Sequence, residues 1–92
     1  MTADDAPWSD GNTLAGPLGE AIGTDPTVAE LTCAACGTAR PLAAMRVYGR
    51  VPGLIARCPA CENIVMRVVR TSSRVLLDLR GSLTLSLPAP PA

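Results

Sequence analysis

Two cysteine pairs constrain this chain more than anything else in it. They stand at Cys33-Ala34-Ala35-Cys36 and Cys58-Pro59-Ala60-Cys61, they account for every cysteine, and 21 residues separate them. A tetrahedral metal needs four donors a few ångströms apart. Two intervening residues let one tight turn aim both sulfurs of a pair at a single point, at a zinc–thiolate bond length of about 2.3 Å. The linker between the pairs is long enough for a strand out and a strand back, which returns the second turn to the side of the first. The spacing therefore predicts a small β-rich zinc ribbon: a four-cysteine site on rubredoxin-like knuckles, antiparallel strands, and a short N-terminal helix. Structural Zn²⁺ is the expected cofactor, because four sulfurs leave no position for water or substrate. Iron in a rubredoxin-like site uses the same ligand geometry, but one Trp, one Tyr and no Phe offer little to shield such a centre. A redox CxxC expects a helix start in a βαβ setting, which neither pair has.

At 92 residues the chain allows one domain, with a core resting on Leu, Val, Ile, Met and Ala. A chain this short needs a staple, and metal binding to a site absent from the unfolded chain becomes folding energy. There is no His, so neither a Cys-His nor a Ser-His-Asp arrangement can be built. With no open metal position and no general base in a cleft, the expectation is a protein that is not an enzyme. The acidic start Met1-Thr2-Ala3-Asp4-Asp5 leads into no apolar run, and no stretch reaches the roughly 20 apolar residues of a membrane span. Thiolates on a metal fit a reducing compartment, so a cytoplasmic location is expected.

Formal net charge is zero, but its halves are opposite. Residues 1–30 carry six acids and no cation; the remainder carries eight Arg against Glu62 and Asp78. Either an acidic arm folds onto a basic domain, or a basic face is kept for a partner. Arg46, Tyr48 and Arg50 alternate, so they share one face of any strand they occupy, and Arg57 on the return strand can join them. Such a stripe can clamp phosphates and stack a base, which makes it the candidate surface for nucleic acid or another partner. Arg67, Arg70 and Arg74 form a second basic group, but Arg67 and Arg70 point to opposite strand faces.

Along the chain, residues 1–9 read as a disordered acidic N-terminus and 10–25 as a short helical segment. Asp10 to Thr13 supply capping side chains, and Leu14, Leu18 and Ile22 follow on one helical face. Pro17 fits that helix only in its first turn. Residues 27–87 read as the zinc-ribbon domain, and 88–92 as a Pro-rich tail. Leu42 to Tyr48, Leu54 to Arg57 and Asn63 to Thr71 read as strands. Val75, Leu77 and Leu79, then Leu83, Leu85 and Leu87, alternate with more polar positions, so each leucine set is expected to face inward. Gly37, after the first pair, suits a positive φ, and Asn63 is expected to take that role after the second.

The run Asp10-Gly11-Asn12-Thr13-Leu14-Ala15-Gly16-Pro17-Leu18 is followed in order by further short matches. These are Cys-Ala-Ala-Cys-Gly at 33–37, Val-Tyr-Gly at 47–49, Arg-Cys-Pro-Ala-Cys at 57–61 and Leu-Asp-Leu-Arg-Gly at 77–81. This pattern resembles a set of small actinobacterial proteins grouped as a domain of unknown function with two CxxC knuckles. The resemblance covers roughly residues 10 to 81 and implies that Cys33, Cys36, Cys58 and Cys61 are the metal ligands. Glu62 departs from the common C-P-x-C-G form of the second knuckle. The resemblance implies no activity, so function has to come from these residues. They favour a non-catalytic protein-interaction module, an adaptor using a sheet edge or the apolar helix face. The alternative is a nucleic-acid-binding ribbon using Arg46, Tyr48, Arg50 and Arg57. No membrane association and no small-molecule substrate are expected.

Overall fold

Hydrophobic alternation along the C-terminal two-thirds of the chain produces strands, and a computed structural model describes residues 8–23, 25–50 and 52–89. The expected disorder of residues 1–7 and the last part of the Pro-rich tail, 90–92, lie outside the described residues. In chain order the elements are β1 (Ser9–Asp10), α1 (Ala15–Ile22), β2 (Glu30–Cys33), β3 (Ala39–Pro41), β4 (Arg46–Arg50), β5 (Gly53–Arg57), β6 (Ile64–Arg70), β7 (Val75–Asp78) and β8 (Ser82–Ser86). Short 3₁₀ turns at Gly11–Leu14, Pro26–Val28 and Leu42–Ala44 link the first half. All pairings are antiparallel, in two sheets: β1-β4-β5-β6-β7 and β3-β2-β8.

The helical segment forms as its residues dictate. The Asp10 carboxylate accepts a hydrogen bond from the Asn12 N–H at 2.9 Å and opens the 3₁₀ turn that leads into α1. Pro17 is the third residue of α1, where its missing N–H has no helical partner to lose. Gly23 closes the helix in the left-handed region, φ 70, donating to the Gly19 carbonyl. Leu14 and Leu18 are fully buried and Ile22 half-buried, so the stripe faces the core. Burial on this scale contributes about 2 kcal/mol for each leucine. They join Leu31, Leu42, Met45, Val47, Leu54, Val65, Met66 and Val68 in one cluster.

The structure corrects the sequence expectations at several points. Ser9, expected to end a disordered segment, and Asp10, expected to open the helical one, instead pair as β1 with Val47 and Arg46 of β4. Leu42 to Ala44 is a 3₁₀ turn rather than the start of a strand. Here Leu42 is buried, its N–H bonds the Ala29 carbonyl, and its own carbonyl packs where a Cβ at Gly11 would stand, 1.6 Å away. That close approach requires glycine at position 11. The leucines of the last alternation do not all face inward: Leu85 of β8 is half-buried, but Leu83 is 65% exposed and Leu87, just past the strand, 42% exposed. The reason is topological. β8 is an edge strand of a three-stranded sheet, and its register against β2 shifts between Thr32 and Cys33.

The opposite charges meet only in part. Glu20 on α1 bonds Arg70 on β6 at 3.3 Å, while Asp10 and Asp25 are used as caps. Arg70 and Arg67 lie on opposite faces of β6, as expected: Arg70 is half-buried on the side of Val68, and Arg67 is exposed opposite Asp78.

Candidate metal centre

Each cysteine pair sits in a turn between neighbouring antiparallel strands, and the two turns belong to different sheets. The first joins β2 to β3; the second joins β5 to β6. The β4–β5 hairpin carries the chain back between them, as the 21-residue spacing requires.

The two turns are copies of one backbone device. Gly37 N–H donates to the Cys33 carbonyl at 2.8 Å, and Glu62 N–H donates to the Cys58 carbonyl at 2.8 Å. Cys33 N–H donates to the Thr38 carbonyl at 3.0 Å, and Cys58 N–H to the Asn63 carbonyl at 2.9 Å. The residue after each pair turns left-handed, with φ 75 at Gly37 and φ 66 at Glu62. Glu62, not Asn63, therefore occupies the left-handed position of the second turn. Its place is set by the N–H bond back to Cys58, which falls on the residue directly after the pair. The Glu62 carbonyl accepts from the Arg57 guanidinium at 2.9 Å and its carboxylate lies 3.5 Å from Arg46 Nη1. Asn63 serves differently: its side-chain amide donates to Cys61 Sγ at 3.4 Å, the counterpart of the Thr38 hydroxyl 3.3 Å from Cys36 Sγ.

The four sulfurs converge, all within 4.8 Å of one another. Cys33 Sγ lies 3.6 Å from Cys61 Sγ, and Cys36 Sγ lies 3.8 Å from Cys58 Sγ. A disulfide needs about 2.05 Å. A regular tetrahedron of sulfurs around zinc, with bonds of about 2.3 Å, has edges of about 3.8 Å. The donor set therefore fits a tetrahedral thiolate-binding cation. Cys33 and Cys58 are buried, whereas Cys61 is half-buried and Cys36 exposed, so the cluster opens to solvent on one side.

Local donors favour thiolates on that open side. The Cys36 thiol is lowered to about 6, chiefly by the Thr38 hydroxyl and then by the Thr38 N–H. Cys61 is lowered chiefly by the Asn63 side-chain amide, with its N–H adding to the effect. Burial pushes Cys33 up to about 11, against the opposing N–H groups of Cys36 and Ala35. The Ala60 N–H points at Cys58 Sγ, 3.4 Å away. Backbone and side-chain donors thus surround the sulfurs, which is the second shell that thiolate ligands need.

Of the second candidate surface, the structure keeps the face but occupies much of it. Arg46 and Arg57 are directly opposed across β4 and β5, with Tyr48 and Arg50 on the same face. The Arg57 guanidinium lies 5.6 Å from the Tyr48 ring centroid, and that of Arg46 lies 5.1 Å from the Trp8 ring. Trp8 was not among the sequence candidates. The Trp lies next to a strand of two residues, and no alternation that short shows that it reaches β4.

A β-rich, antiparallel protein with one short helix and a four-cysteine cluster suited to a metal is the class these features define. The chain belongs to a family of unknown function (DUF6510), whose model matches residues 3–90. Comparison with curated proteins and with solved structures returns no match.

Proposed function

We propose that this protein is a non-catalytic interaction module stapled by one structural Zn²⁺ on Cys33, Cys36, Cys58 and Cys61. The observation that carries this reading is the convergence of four sulfurs from two turns on different sheets, at separations near the edge of a zinc–thiolate tetrahedron. One cation there cross-links the two sheets and leaves no coordination position for a substrate. With no His in the chain and a metal without an open site, the module binds rather than reacts. Metal-bound thiolates keep best in a reducing compartment, which supports a cytoplasmic location. Its partner is a protein, received on the apolar surface around the free edge β8, where Leu83 and Leu87 stand exposed. Salt-tolerant capture of a protein partner, lost on chelation of the metal, is the expected result. Capture unaffected by metal removal overturns the link between staple and surface.

The second reading is nucleic-acid binding through Arg46, Tyr48, Arg50 and Arg57. It is favoured by one observation, the arrival of Trp8 beside Arg46, which gives this face two aromatics among its arginines. Against it, Arg46 and Arg57 are already engaged by Glu62. Oligonucleotide binding that falls steeply with added salt supports this reading, and the absence of binding at low salt eliminates it.

A further inference from the structure

We propose that β8 pairs with β8 of a second copy of this chain, making an isologous antiparallel dimer centred on Thr84. The proposal rests on the protein-binding reading of this edge and names its occupant. Among the described residues β8 pairs only with β2, so beyond Ser82, whose N–H bonds the Leu79 carbonyl and whose hydroxyl bonds the Val65 carbonyl, its other edge has no strand partner. Exposed edges of this kind template further strands unless charge, proline or a cover blocks them. Here Ser82-Leu83-Thr84-Leu85-Ser86 carries no charge and no proline, and the first proline, Pro88, lies beyond the strand.

The choice of a second copy comes from the order of the residues. The strand reads the same in both directions about Thr84. Two antiparallel copies registered on that residue set Ser82 opposite Ser86, Leu83 opposite Leu85, and Thr84 opposite its own copy. The leucines of both chains then share one face and the hydroxyl residues the other. Leu83, 65% exposed in the single chain, gains an apolar neighbour from the facing strand. A two-fold axis demands this self-complementarity of one patch with itself. A heterologous partner does not require it. The contact is short, so it belongs with small, weak interfaces, and its association is read at about 10 μM to 1 mM.

Thr84 is exposed and bonds only the Thr32 hydroxyl at 3.1 Å, so its side chain can be changed without opening the core. In metal-loaded protein, sedimentation equilibrium is expected to show concentration-dependent growth toward twice the 9.5 kDa chain mass. Thr84→Lys and Thr84→Glu each place like charges opposite each other at the axis, and each is expected to lose self-association at least tenfold. An equimolar mixture of the two variants restores the dimer. Hydrogen exchange on wild-type β8 gives an independent readout: its outward amides slow as concentration rises. Should the wild-type chain stay monomeric with unchanged β8 exchange up to about 1 mM, self-pairing is wrong, and salt-tolerant capture of another protein still tests the wider reading. Dimers indifferent to both charges, or variants whose mixture does not recover, also refute the proposed register.

Discussion

Glu62 is a strained residue whose cost can be separated from its contacts. A side chain at φ 66 carries a left-handed penalty of about 1–2 kcal/mol that glycine escapes. Its one ion pair, to Arg46 at 3.5 Å, joins side chains 34% and 65% exposed, and a pair that open is worth about 0–1 kcal/mol. Glu62→Ala removes the pair and keeps the strain; Glu62→Gly removes both. The comparison between the two variants therefore cancels the ion pair. Some of the gain is offset because glycine also frees the unfolded chain, which leaves Glu62→Gly more stable than Glu62→Ala by about 1 kcal/mol. For a domain of this size that is about 4–8 °C in Tm. The assay is thermal unfolding at one fixed metal concentration, since bound metal itself raises apparent stability. Gly37→Ala at the equivalent place in the first turn should lose a similar amount relative to wild type. If Glu62→Ala melts at or above Glu62→Gly, the left-handed turn and the equivalence of the two knuckles are wrong.

Gly81→Ala should destabilise severely, because its Cβ would stand 1.9 Å from the Ile64 carbonyl oxygen, a backbone atom that cannot swing aside. By contrast, Gly16→Ala, with nothing beyond its chain neighbours within 4 Å of the added carbon, should be nearly neutral, because the helical gain of about 0.5–1 kcal/mol is opposed by the Pro17 ring, which disfavours a helical residue with a Cβ just before it; chemical denaturation of both variants checks the pair. The Asp78 carboxyl is depressed to about 2 from an ordinary 3.8, first by the Arg80 guanidinium bonded to it and then by the Arg80 N–H. A depressed carboxylate stabilises the fold fully above its unfolded value, so this contribution is lost as pH falls from about 4 to about 2. Carbon NMR titration should place the Asp78 midpoint near the lower figure, and Arg80→Ala should return it toward the ordinary value.

Features that depend on a few neighbouring residues were legible in the sequence. Cys33-Ala34-Ala35-Cys36 and its partner announced a four-sulfur cluster, Gly37 announced its positive φ, and Leu14 with Leu18 announced the buried face of α1. Legibility failed where the outcome depended on residues distant in the chain. Leu83 and Leu87 alternate like any half-buried strand, yet they are exposed because β8 ends as a sheet edge, a matter of strand order. Leu42 reads as the start of a strand until Gly11 is seen to press on its carbonyl. Asn63 has the higher left-handed tolerance, but the N–H bond to Cys58 falls one residue earlier and tertiary pairing overrides propensity at Glu62. Nor did spacing show that the two cysteine turns lie on separate sheets, which gives a bound cation its cross-linking role. As for the protein's wider setting, no described helix is long and apolar enough to cross a membrane.

Cobalt titration of protein purified in reductant, followed by electronic absorption, tests the metal cross-link most directly. A single Co²⁺ per chain is expected, with intense sulfur-to-metal charge transfer and the visible bands of a tetrahedral four-thiolate site. Zinc should displace it stoichiometrically, and chelation should unfold the chain as it exposes all four thiols to alkylation. A chain that stays folded without metal, or binds cobalt with fewer than four sulfurs, contradicts the account.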